Sequence, residues 1–223
     1  MRGGPLVLLL GAAACAAPLR ELPPPAAGSV PDDPAALAAE SREAVHRSEH
    51  EPSADARRAL AEKAVDAGQR CVRAAPASAE CAYALALGLG LQARERPSTA
   101  TQGLKAMVDL LQKANGLDAR LDRGGPARVL ALVLVRAPGW PLGPGDPETG
   151  LKSARQAAEL VPDYPPNQLA LSEALLAADD QAGSRAAAGR GLEQARAASA
   201  AGEPDADDWV RSGEALLAGQ TPR

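Results

Sequence analysis

The chain must build its interior without phenylalanine and with aromatics at only 2% of its residues, although 46% are apolar. Alanine, leucine and valine are left to do the packing. Small side chains let helices approach closely, whereas a β-sandwich draws on β-branched and aromatic residues. An all-α fold class is therefore predicted. The 223 residues suffice for one domain of ordinary size with an extension. The net charge of −4 offers no basic footprint, so no nucleic acid is expected as a partner.

Residues 1–14 read as a secretory signal. Arg2 supplies a positive charge, Leu6 to Leu10 an apolar core too short to span a bilayer, and Ala12 to Ala14 a small-residue cleavage region before Cys15. Ala-Ala-Ala-Cys resembles the lipobox of bacterial lipoproteins, with Ala12 where that motif prefers leucine and Leu10 two places further out. The resemblance implies acylation of Cys15, a palmitate-type anchor, and a place on the periplasmic side of the outer membrane in the bacterial cell envelope. Plain secretion after an Ala-x-Ala cut and a retained anchor are the other readings. Residues 15–33 hold Pro18, Pro23, Pro24, Pro25 and Pro31 and few large apolar side chains, the composition of a semi-extended tether. The folded domain is expected over 34–220.

Outside the signal and Cys15, two cysteines remain. Cys71 falls in the last turn of one predicted helix and Cys81 in the first turn of the next, so a tight antiparallel turn can bring them to bonding distance. In an oxidising compartment a structural disulfide is expected; two buried thiols are the alternative. Ser53 and Ser78 are placed to cap their helices. Leu104, Met107, Val108 and Leu111, and later Leu171, Ala174, Leu175 and Ala178, follow the i, i+3, i+4, i+7 stripe of an amphipathic helix. Trp209, Gly213, Leu216 and Leu217 predict a last helix after Pro204. The apolar run Val129–Val135 fits a buried strand or a buried helix by periodicity. Pro126 after Gly124-Gly125 favours a fully buried central helix.

The helices share a spacing. In tetratricopeptide-like helix pairs, small residues sit at fixed places on the second helix and a proline opens the next pair. Taking Pro162 as that proline puts Gly150, Ala154 and Ala157 at small sites, Leu171, Ser172 and Leu175 in the following helix, and Ala188 and Gly191 after that. Pro76 serves similarly with Ala64, Cys71, Leu85 and Ala86. Stacked antiparallel pairs forming a compact solenoid or bundle with one concave binding face are the expected architecture.

The stretch RAPGWPLGPGDP, residues 136–147, interrupts this pattern. It is longer than the usual helix–helix connection, and loops lengthened in this way are often functional. Prolines restrict the backbone around Pro138, Gly139, Trp140, Pro141 and Leu142, which makes these residues candidates for contacting a ligand or partner. Trp140 tucked under the loop as local core is the alternative.

The run Gly124–Leu176 resembles the family of the T component associated with tripartite (TRAP) transporters. The features that carry this are the Gly-Gly-Pro helix start, Arg-Ala-Pro followed by a Gly/Pro loop, the Asp-Pro helix start at Asp146-Pro147, and PDYPPN before a Leu-rich helix. The resemblance implies a lipid-anchored periplasmic protein that works with a periplasmic substrate-binding protein and holds a small apolar ligand in a channel through its helices. A general envelope scaffold, binding a peptide or another envelope protein in a concave groove, is the alternative. A homo-oligomer is compatible with either.

No arrangement for catalysis stands out. His46 and His50 share a helix face near Glu51, but a metal site requires further ligands, and a solvated helix end is the simpler reading. No nucleophile elbow or phosphate-binding glycine loop follows a strand. Asp179-Asp180 and Asp205–Asp208 read as acidic helix starts. No catalytic residue, metal or cofactor is assigned, and a binding function is expected in place of an enzyme.

Overall fold

The computed structural model describes residues 32–97 and 100–219. Cys15, the signal and the greater part of the tether lie outside the described residues. The remainder is all-α: α1 (Pro34–Glu49), α2 (Ala54–Ala74), α3 (Ala79–Glu95), α4 (Ala100–Leu117), α5 (Gly125–Arg136), α6 (Pro147–Leu160), α7 (Pro165–Ala177), α8 (Gln181–Ala200) and α9 (Ala206–Leu217). A 3-10 turn, Leu121–Arg123, precedes α5. No described helix is long and apolar enough to cross a membrane.

Capping sets the helix starts. Ser53 Oγ accepts from the Ala56 amide, Ser78 Oγ from that of Cys81, and Asp146 from that of Thr149, each satisfying an amide that the helix leaves unpaired. Each helix packs on the next, and α1 on α3, α5 on α7 and α7 on α9, the arrangement of stacked helix pairs. The close approach depends on small residues. Ala154, Ala157 and Ala188 are fully buried, and Leu171 packs half-buried beside Ala131, Ala154 and Ala174. A Cβ on Gly68 would lie 2.7 Å from Leu85 Cα, so α2 and α3 meet at backbone contact there. Pro162 is exposed in the turn before α7, and Leu175 is buried.

Cys71 and Cys81 are bonded, with Cα atoms 5.2 Å apart, and both are buried between α2 and α3 beside Leu37 of α1. The run Val129–Val135 is helical, as expected, but is not buried all round. Leu130, Ala131 and Leu134 are buried, whereas Val129, Leu132, Val133 and Val135 are half-buried, because α5 has packed neighbours on only part of its circumference.

Candidate functional site: a recess ringed by alternate helices

The odd-numbered helices turn one side each toward a common recess of about 960 Å³. From α1 come Arg42, Val45, His46 and Glu49, whose three- and four-residue spacing puts them on one face, with His50 at its C-terminal cap. Tyr83, Leu87 and Arg94 come from α3, Asp122, Arg128 and Val129 from the start of α5 and its preceding turn, and Tyr164 and Pro166 from the start of α7. Asp205, Asp208, Trp209 and Ser212 close the circle from α9. Among the described residues, α1 comes close to the start of α9, His46 Nε2 lying 3.9 Å from Oδ1 of Asp205, the residue before that helix.

One part of the wall is built by a network around Asp122. The Tyr83 hydroxyl donates to Asp122 Oδ2 at 2.7 Å, and Arg128 Nη2 donates to the same oxygen at 2.9 Å. Asp122, Arg123 and Gly124 follow one another with φ of 47°, 55° and 84°. For the two residues with a Cβ this left-handed conformation costs on the order of 1 kcal/mol each. Asn167, fully buried, holds it in place: its Nδ2 donates to the carbonyls of Arg123, Ala157 and Val161 at 3.0–3.1 Å, and its Oδ1 accepts from Arg128 at 3.1 Å. Gly125 leaves the space for all this, since a Cβ there would lie 2.5 Å from Tyr83 Oη and 2.6 Å from Asp122 Oδ2.

The aromatic side is equally constrained. The Arg123 and Arg128 guanidinium carbons lie 4.4 and 5.1 Å from the Tyr164 ring centre, within cation–π range, and Trp209 meets that ring edge-on at 5.5 Å. Burial pushes the Tyr83 phenol far above its usual range, with the Asp122 charge adding to the rise and Arg128 opposing it. Burial raises Tyr164 too, again against Arg128. Both phenols therefore stay neutral at physiological pH. Charged groups, phenols and aliphatic surface share the wall.

The residues expected to bind lie elsewhere. Pro138, Gly139, Trp140, Pro141 and Leu142 do not line the recess. Trp140 is 87% exposed and Leu142 70%, which corrects the local-core alternative for Trp140. The loop is nonetheless fixed: Gly145 N donates to Pro138 O at 2.9 Å, Leu142 N to Gly139 O at 3.0 Å, and Thr101 Oγ1 to Leu142 O at 3.2 Å. His46 and His50 are exposed at the end of α1, as a solvated helix end, and Asp207 and Asp208 stand in the first turn of α9 as an acidic helix start; His46, His50, Asp205 and Asp208 also border the recess. Among the described residues no cluster of three or more His, Cys, Asp or Glu could hold a metal ion.

A signal for the recess was present in the composition. The chain has two Trp, two Tyr and no Phe, and three of these four aromatics, Tyr83, Tyr164 and Trp209, line one wall. No protein-family model matches the chain, and no curated protein matches it. The resemblance of residues 124–176 to the transporter T component stands on those residues alone.

Proposed function

We propose that this chain is a binding protein of the bacterial envelope, held through lipid on Cys15 at the periplasmic side of the outer membrane, whose recess carries a small molecule. The observation that carries this reading is the concentration of three of the four aromatics, together with a network of fixed polar groups, on a recess of about 960 Å³. That volume is at the upper end of the roughly 300–1,000 Å³ of small-molecule sites, which are typically pre-formed. Strain held by Asn167 and the Asp122 network is the kind of pre-organisation that lowers the ordering cost of binding. The resemblance of residues 124–176 supports a partner, a periplasmic substrate-binding protein of TRAP type, with which the ligand is exchanged.

Native mass spectrometry of the full-length protein extracted in detergent tests this. A small-molecule mass retained by wild type and lost on Leu87→Trp, which fills the recess from α3, is the expected result. An empty wild type, or a mass retained equally by both, overturns the reading.

The exposed loop favours a second reading. A rigid Trp140–Leu142 knuckle is the kind of aromatic anchor that protein partners bury, and an envelope scaffold would use it with the recess empty.

A further inference from the structure

We infer that Arg42 receives the anionic head of the ligand, and that this ligand is an organic carboxylate carried on an apolar body. The inference rests on the recess being the ligand site. Among the described residues four arginines are buried or half-buried: Arg42, Arg57, Arg70 and Arg128. Three of them have a carboxylate. Arg57 Nε lies 3.1 Å from Glu95, Arg70 pairs with Asp32, and Arg128 lies 2.9 Å from Asp122. Arg42 makes no ion pair or hydrogen bond among the described residues, yet it lines the recess. Arg42 is half-buried and unpaired, and an anionic ligand at that place would give its guanidinium a charge-assisted partner.

The other cations of the wall are already engaged. Arg128 is held by Asp122, Arg211 pairs with Asp208, and Arg94 reaches Glu95 and Ser48. Ser41, the residue before Arg42, donates from Oγ to the carbonyls of Ala64 at 2.9 Å and Ala84 at 3.1 Å, which anchors this turn of α1 on α2 and α3. Val45, Leu87 and Val129 then supply apolar wall for the body of the ligand.

The charge of the ligand follows from the rest of the wall. Asp122 and Asp208 are held by Arg128 and Arg211, whereas Glu49 and Asp205 face the recess with no guanidinium on them, so a dianion such as a phosphate monoester would meet two carboxylates for one free guanidinium. A singly charged, planar carboxylate matches one guanidinium fork in both charge and geometry.

Fluorescence of Trp209 reads the recess directly. In full-length protein carrying Trp140→Phe, Trp209 is the sole tryptophan of the chain. The probes are decanoate, 3-phenylpropionate, decanol and decyltrimethylammonium. We expect a carboxylate to change Trp209 emission saturably and more tightly than decanol. Arg42→Gln should weaken it about tenfold, the loss of one charge-assisted contact, while Arg47→Gln, exposed on the same helix, should leave it unchanged. Preference for decanoate identifies an acyl-chain source, and preference for 3-phenylpropionate an aromatic acid. Decanol binding as tightly as decanoate, tighter binding of the ammonium probe, or indifference to Arg42→Gln overturns the inference while leaving the recess a ligand site. No response to any of the four probes overturns the recess reading and this inference with it.

Discussion

Arg128 grips Asp122 at two places, donating from Nη2 to the carboxylate at 2.9 Å and from Nη1 to the backbone carbonyl at 3.3 Å. Because Asp122 sits at φ 47°, the ion pair and the backbone conformation support each other.

Asp122→Asn separates the two contributions. Asparagine tolerates the left-handed backbone about as well as aspartate, so the change isolates the charge. Arg128, only 9% exposed, loses its carboxylate. The expected destabilisation is about 2 kcal/mol, below the full cost for a buried pair because the aspartate side is partly solvated. Urea denaturation of the two proteins measures it.

Tyr83 makes stability depend on alkaline pH. Its folded phenol titrates above the unfolded value of 10.0, so its contribution is complete below about pH 10 and is lost as pH rises toward the folded value. In that range the unfolded chain ionises while the folded protein does not. Wild-type stability should fall more steeply above pH 10 than that of Tyr83→Phe, although the variant is less stable at pH 7. Denaturation midpoints at pH 7, 10 and 11 check both signs.

The Cys71–Cys81 bond closes a short segment, with a sequence separation of 10. Chain-entropy arguments give about 3 kcal/mol for a loop of this size. Replacing both cysteines by alanine should lower stability by an amount of that order. Reductant should lower the melting temperature of wild type and leave that of the double variant unchanged.

Two glycines of α8 should respond in opposite directions. A Cβ on Gly189 meets nothing within 4 Å, so Gly189→Ala should stabilise by about 0.5–1 kcal/mol through helix propensity. A Cβ on Gly191 would lie 2.8 Å from Leu169 Cδ2. Gly191→Ala should destabilise by about 1 kcal/mol as the core is overpacked. Thermal melts of the two variants against wild type test the contrast.

Trp140→Ala should leave stability within about 0.5 kcal/mol of wild type, the range of surface substitutions, since the indole is 87% exposed. A larger loss in a thermal melt would show that the loop leans on this side chain after all.

The helices were legible because their signals are local. Ser53, Ser78 and Asp146 cap the helices that follow them, and the small residues before Pro162 lie where the helices touch. The recess was not legible in the same way. Arg42, Tyr83, Asp122, Tyr164 and Trp209 are scattered over most of the chain and meet only because alternate helices share a face. The loop at Trp140 stands out through its prolines, which report backbone stiffness and say nothing of whether an indole is covered. Arg128 is the hardest case: in the sequence it opens an apolar run and looks like a flanking charge, whereas Asn167 and Asp122, from distant segments, make its burial tolerable.

The meeting of His46 with Asp205 bears on how such a chain can vary in length. An open array of helix pairs can gain or lose a unit by duplication or deletion and simply become longer or shorter. Here, among the described residues, α1 faces α9 across the recess, so an extra pair between them would enlarge the circumference and part the two. The number of helices is thereby coupled to the size of what the recess can hold. Insertions should be accommodated in the connections that point outward, as residues 137–146 already do.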